Sequence, residues 1–208
     1  MLKEILVDQG TEEWLHARLG VITGSKIGKC FTSKGNISEA GSKTLARELA
    51  AEELHKKSNI PMVSYTNVHM ERGNALEEEA FNAYVFSSGQ QYKKIGFLLD
   101  KDRGVGCSPD GVLFDGHAIK EGIEIKCPMA KTHIAYLDYN GLPTDYEAQV
   151  RWNLWTSKSD KFTFVSYFPG AKLFQVEVLP DNEWEEKFQH VIENVTKIKQ
   201  HYMQICEG

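Results

Sequence analysis

The chain reads as an α/β layered domain with a central mixed β-sheet, and three observations predict it. Long stretches carry apolar residues at helical spacing, short β-prone runs lie between them, and Gly, Pro and Asp-Gly signals mark the junctions. At 208 residues, a single domain spanning 1–208 can bury a substantial core, and a second unit would be a squeeze.

Thr11 stands where it can cap a short helix carrying Trp14, Leu15 and Arg18. After a loop at Gly35 to Ser42, a helix is predicted over Ser42 to Lys57, with Leu45, Leu49 and Leu54 inward. A second loop covers Ser58 to Pro61. From Asn67 to Ser87, Val68, Leu76, Ala80, Tyr84 and Val85 recur at threes and fours, Glu77 lies beside that stripe, and Gly89 stops it. The period then shortens. Gln91 to Leu99, Gly111 to Phe114 and Gly122 to Lys126 read as strands, the last two joined by a turn at Asp115-Gly116. Pro143 to Lys158 returns to helix. Lys161 to Phe168 and Lys172 to Leu179 form two more strands meeting at Pro169-Gly170. The tail is a long amphipathic helix with Trp184, Phe188, Val191, Ile192, Val195 and Ile198 on one stripe.

With 41% hydrophobic and 25% charged residues the chain has the balance of an ordinary globule. Charges interrupt Met1 to Asp8, and no apolar run is long enough for a bilayer, so neither a signal peptide nor a membrane partner is expected. Cys30, Cys107, Cys127 and Cys206 show no CxxC spacing, which points to reduced thiols in a cytoplasmic setting and away from zinc. The net charge of −5 is not that of a general nucleic-acid binder. A cluster of acidic metal ligands would nevertheless lower the charge of any nuclease, and steering depends on where charge sits.

The chemistry-bearing residues lie mid-chain. Ser108-Pro109-Asp110-Gly111 is followed by Glu124-Ile125-Lys126-Cys127-Pro128. Glu124 and Lys126, two apart on a strand, project to one face, and Ile125 projects to the other, which leaves its carbonyl free to be a further ligand. Two carboxylates suit Mg²⁺, with Mn²⁺ as a substitute, and the ammonium of Lys126 could face the same water. That kit implies metal-assisted phosphodiester cleavage. Alone, Asp110 is an ordinary Pro-Asp-Gly turn residue and Glu77-Glu78-Glu79 a solvated helical face. Together with Lys126, two opposite charges inside an apolar run, Ile123 to Pro128, favour the functional reading.

The Asp then Glu-X-Lys order is the signature of the PD-(D/E)xK nuclease superfamily, whose core resembles that of restriction endonucleases. In wider context the chain resembles the phage lambda exonuclease-like, YqaJ-type viral recombinase group. Five blocks carry the likeness: Arg18 to Ser25, Gly73 to Glu77, Cys107 to Gly111, Glu124 to Pro128, and Ala148-Gln149-Val150. The resemblance implies a Mg²⁺-dependent exonuclease that digests the 5′-ended strand of linear double-stranded DNA. Its products would be 5′-mononucleotides and a 3′ single-stranded overhang. It assigns Asp110, Glu124, the Ile125 carbonyl and Glu77 to metal, and Lys126 to the attacking water. It assigns Arg18, Ser25, Ser108 and Gln149 to a pocket for the 5′-phosphate, and Met70 to a wedge at the duplex end. A homotrimer ring and a single-strand annealing protein as partner are implied in the same way. A further basic residue expected after Ser25 has no certain match, with Lys34 the nearest candidate.

Three other readings share parts of this pattern. An endonuclease on the same core would need a sequence-reading module, which the helices do not display. An iron–sulfur-containing exonuclease would need three clustered late cysteines where only Cys206 stands. A DNA-end-binding protein with a decayed site would not need every expected catalytic residue type, and all are present.

Overall fold

A computed structural model of the chain describes residues 2–58 and 68–208, with side chains in the second stretch described from Ala75 onward. The mixed α/β class holds, but the strands divide into two four-stranded sheets. One has the order β1 (Leu2–Ile5), β3 (Phe97–Asp100), β4 (Val105–Cys107), β2 (Ile22–Thr23), with β2 parallel to β4 and the other pairs antiparallel. The other has the order β5 (Gly111–Asp115), β6 (Ala118–Lys126), β7 (Lys161–Ser166), β8 (Phe174–Val178). In it β6 and β7 run parallel, and the hairpins β5–β6 and β7–β8 antiparallel. The β5–β6 turn is Gly116-His117, one residue later than expected because Asp115 still pairs with Ala118, and Gly116 has φ +59.

Thr11 caps α1 (Glu12–Ala17) by accepting from the Trp14 amide at 3.3 Å. After a short α2 (Gly24–Ile27), α3 (Glu39–Ser58) lays Leu45, Ala46 and Leu49 into one core with Trp184, Phe188, Val191 and Val195 of α7 (Asn182–Glu207). Leu54 does not join them and is 36% exposed. Five residues beyond Leu49 turn a helix by about 140°, which carries Leu54 off the stripe. The helix α4 (Val68–Ser88) ends before Gly89, whose φ of +66 suits a helix stop.

The expected strand over Gln91 to Leu99 is shorter, because β3 starts at Phe97 and only Lys93 pairs earlier, with Val112. The carbonyl of Ile95 is taken instead by the Gln9 side chain at 2.9 Å, so that backbone is satisfied outside any ladder. Neither β1, β2, β4 nor α5 (Ala130–Tyr139) was expected from the sequence. The helix expected over Pro143 to Lys158 is α6 (Thr144–Ser157), ending at Lys158 with φ +57.

Helix α6 joins the two sheets. Trp152 donates its indole N–H to the Gly106 carbonyl of β4 at 3.0 Å, while Asn153 reaches Glu124 of β6. Leu154 and Val150 pack with Phe162 and Phe164 of β7. None of the four cysteines is joined in a disulfide. Among the described residues no helix is long and apolar enough to cross a membrane.

Candidate active site

Strand β6 outruns its partner. The β5 ladder begins with Gly111 opposite Ile123, so the last three residues of β6 have no β5 backbone beside them. Asp110 fills that gap. Its amide donates to the Ile123 carbonyl at 3.0 Å, and its Oδ2 accepts from the Ile125 amide at 2.5 Å. Because a strand repeats every second residue, the Ile125 carbonyl points toward the same open edge. It is thus the strand's overhang, more than the direction of the Ile125 side chain, that makes this carbonyl available.

Glu124 lies on the face of β6 turned to α6 and is 2% exposed. Its Oε1 accepts from Lys126 Nζ at 2.6 Å and from Gln149 Nε2 at 2.5 Å, and its Oε2 accepts from Asn153 Nδ2 at 2.8 Å. The first bond confirms that Glu124 and Lys126 share a face. Gln149, assigned by resemblance to the phosphate pocket, therefore reaches the Glu124 carboxylate in this arrangement.

Burial and repulsion from Glu124 push the Asp110 carboxyl well above its ordinary range, against the pull of Lys126 and the Ile125 amide; Glu77 adds to the rise. Burial pulls Lys126 down, but Glu124 and Asp110 outweigh it and hold the ammonium above its ordinary value. Lys126 Nζ also lies 5.3 Å from the centre of the Tyr146 ring. Glu77, Asp110, Gln9 and Lys94 line one open cavity of about 710 Å³. Among the described residues, no three His, Cys, Asp or Glu side chains close into a metal-binding group. Asp110 and Glu124 with the Ile125 carbonyl are an all-oxygen set, and Glu77 lines the same cavity as Asp110. Such a set fits Mg²⁺, which takes one or two carboxylates and keeps waters for the remaining positions. The repulsion between Asp110 and Glu124 is what a cation there would relieve.

A second group lies next to this one. Arg18, half-buried at the C-terminal end of α1, donates from Nη2 to Ser25 Oγ at 2.6 Å, and its guanidinium sits 3.8 Å over the Trp14 ring. Trp14 in turn donates its indole N–H to Ser108 Oγ at 3.0 Å. Ser108, remote in sequence, is thereby brought beside Trp14 and Arg18 of the first helix and Ser25 of the second. Burial lowers the Arg18 pKa to about 10, opposed first by attraction to Glu124, so the two groups are within electrostatic reach. The turn after Arg18 is tied to α3: Glu52 accepts from the Gly20 amide at 2.8 Å and pairs with Lys26 Nζ at 2.6 Å.

Trp14 and Asn153 were missed as site residues. The spacing of Trp14 and Arg18, four apart near one helix, was available as a signal for the former. Nothing local marks Asn153. The Met70 side chain, expected as the wedge, lies outside what the structure describes.

The family model of the YqaJ-like viral recombinase domain matches residues 13–160. An alkaline exonuclease from Laribacter hongkongensis, LHK-Exo, superposes with a TM-score of 0.80 at 25% identity, over 95% of this chain and 96% of that one. The structure of LHK-Exo in complex with dAMP gives 0.79 at 24% identity, with the same shares of both chains. A phage related exonuclease from Haemophilus somnus 129PT shares the fold, with a TM-score of 0.64 at 15% identity over 89% of this chain and 96% of that one. No curated protein matches the chain.

Proposed function

The chain belongs to the YqaJ-like viral recombinase family, and from that premise we propose that it is a Mg²⁺-dependent 5′-to-3′ exonuclease acting on linear double-stranded DNA ends. Family membership and the likeness to an alkaline exonuclease support a nuclease. One observation carries the finer reading: a carboxylate–lysine group, Asp110 with Glu124 and Lys126, lies beside an arginine–serine group, Arg18 with Ser25 and Ser108. The first suits a hydrolysed phosphodiester and the second a terminal phosphate, so the pair suits a strand end more than a strand interior.

Bound by Asp110, Glu124, the Ile125 carbonyl and Glu77, Mg²⁺ or Mn²⁺ would neutralise phosphoryl oxygens and acidify a water. Lys126, whose ammonium lies beside Glu124 and the Tyr146 ring, would orient that water by donating to it. Arg18 offers a forked, charged contact to the 5′-phosphate, and the hydroxyls of Ser25 and Ser108 add donors to the same group. Gln149, four residues before Asn153 on α6, can serve either group by rotating its amide. The reading includes 5′-mononucleotide products, a 3′ overhang, a homotrimer ring, processive digestion, a cytoplasmic setting and a single-strand annealing partner, all supported by the family likeness.

The test is digestion of linear duplex DNA, labelled separately at each end, in Mg²⁺ and in EDTA. Release of the 5′ label as mononucleotide, only with Mg²⁺ and with closed circles spared, is expected. Cleavage of circles would instead indicate an endonuclease, and DNA-end binding without any cleavage would indicate a binding protein.

A further inference from the structure

Glu124 has two oxygens, and they face different partners. Oε1 meets Lys126 and Gln149, two long side chains that can move aside, whereas Oε2 meets only Asn153 among the bonds formed by described residues. Asn153 is 2% exposed and sits mid-helix in α6, packed between β6 and α2. Its orientation is dictated by chemistry. A carboxylate oxygen can only accept, so the NH₂ end of the amide must face Glu124 and the carbonyl end must face away.

The carbonyl end points at Gly24. Asn153 Oδ1 is buried and without a hydrogen-bond partner among the described residues. It lies only 2.1 Å from where a Cβ on Gly24 would stand, with Cγ at 3.0 Å. Gly24 opens α2 and is followed directly by Ser25, which bonds Arg18. Any side chain at position 24 would therefore drive the Asn153 amide out of its place, and that amide has no second way to reach Glu124. A buried carbonyl left unpaired carries a free-energy cost, as does the glycine. Both are met at one point, and the return is a fixed carboxylate.

We infer that Asn153 is a positioning residue that holds Glu124 by Oε2 and so presents Oε1 to the metal, and that Gly24 is the space that lets it do so. The inference rests on the metal-dependent reading above and goes beyond it, since it assigns one oxygen of Glu124 to the cation and the other to the protein. It also links the two groups of the site, because the residue that shapes Glu124 from behind adjoins the serine that contacts Arg18.

The experiment uses the full chain and Mn²⁺, with binding read by titration calorimetry and folding checked by melting in EDTA. Asn153→Ala should weaken Mn²⁺ binding roughly tenfold, the usual effect of removing an outer contact to a ligand. Gly24→Ala should do the same. The double variant should bind like Asn153→Ala alone, because the methyl group then has nothing to displace. In the single variants a higher Mg²⁺ concentration should restore much of the turnover while melting in EDTA stays near that of the wild type, which separates a shift in metal requirement from metal rescue of an unstable fold. Should Asn153→Ala melt far below the wild type, Asn153→Ser, which keeps a hydroxyl donor and fits beside a methyl at position 24, provides the rescue arm: with Gly24→Ala it should bind at least as well as Gly24→Ala alone. Wild-type affinity in Asn153→Ala or Gly24→Ala, or a double variant whose losses multiply, overturns the inference while leaving the metal reading intact. No Mn²⁺ binding by the wild type would remove both.

Discussion

The two groups of the site are built in opposite ways. The carboxylate group is a single strand end: Glu124, Ile125 and Lys126 are consecutive on β6, and Asp110 is the residue before its partner strand. The arginine–serine group is an assembly of three segments, α1, the start of α2 and the residue after β4, held around Trp14. Strand period alone aligns the first. Tertiary packing must align the second. The difference teaches what each group depends on: the strand end takes its shared face from its own residues and the setting of its carboxylate from α6, and the assembly depends on its hub.

Lys126→Ala tests the first group hardest, with an expected loss of turnover of about 10²- to 10⁴-fold while DNA-end binding is retained. Unchanged turnover would remove Lys126 from the chemistry. Arg18→Ala should weaken use of 5′-phosphorylated ends by roughly 10- to 100-fold, the worth of a charge-assisted contact, and should leave 5′-hydroxyl ends nearly unaffected. Equal losses on both ends would break the assignment of the second group. Trp14→Phe keeps a ring under Arg18 and deletes the indole N–H to Ser108, so a smaller loss of about severalfold on phosphorylated ends is expected. A loss as large as that of Arg18→Ala would mean that the ring itself positions the arginine.

The smallest expected effect concerns stability. Asp110 has its pKa raised on folding, so its contribution to stability is present below the unfolded carboxyl pKa and is lost as pH rises through the folded value. In EDTA at neutral pH, Asp110→Asn should raise Tm by about a few degrees, because Asn keeps an acceptor for the Ile125 amide and removes the repulsion with Glu124. The same variant should lose its catalytic turnover. A lower Tm would show that the charge of Asp110 stabilises the metal-free fold.

Legibility follows the same division. The Asp110, Glu124 and Lys126 group was readable because a strand converts spacing of two into a shared face without help from elsewhere. Helices with strong stripes, α7 above all, were readable for a similar reason. Strands β1, β2 and β4 were not, since they are two to four residues long and show no period before a neighbour pairs with them. Leu54 was misjudged because apolar character alone was read as inward, where helix angle decides. Gln149 was assigned to the phosphate pocket by resemblance, and its bond to Glu124 depends on the approach of α6 to β6, which no local pattern encodes.

By itself the sequence determined the α/β class, the caps and stops of the main helices, the pairing of charges at the end of β6, and the five blocks that reveal the family. These are properties of period, turn chemistry and residue type, all of them short-range. Only the tertiary structure decided that the strands form two sheets, that Trp14 gathers Arg18 and Ser108, and that Asn153 stands behind Glu124 in the space Gly24 leaves. Those facts arise from contacts between segments far apart in the chain, whose geometry is set by the packing of the whole core.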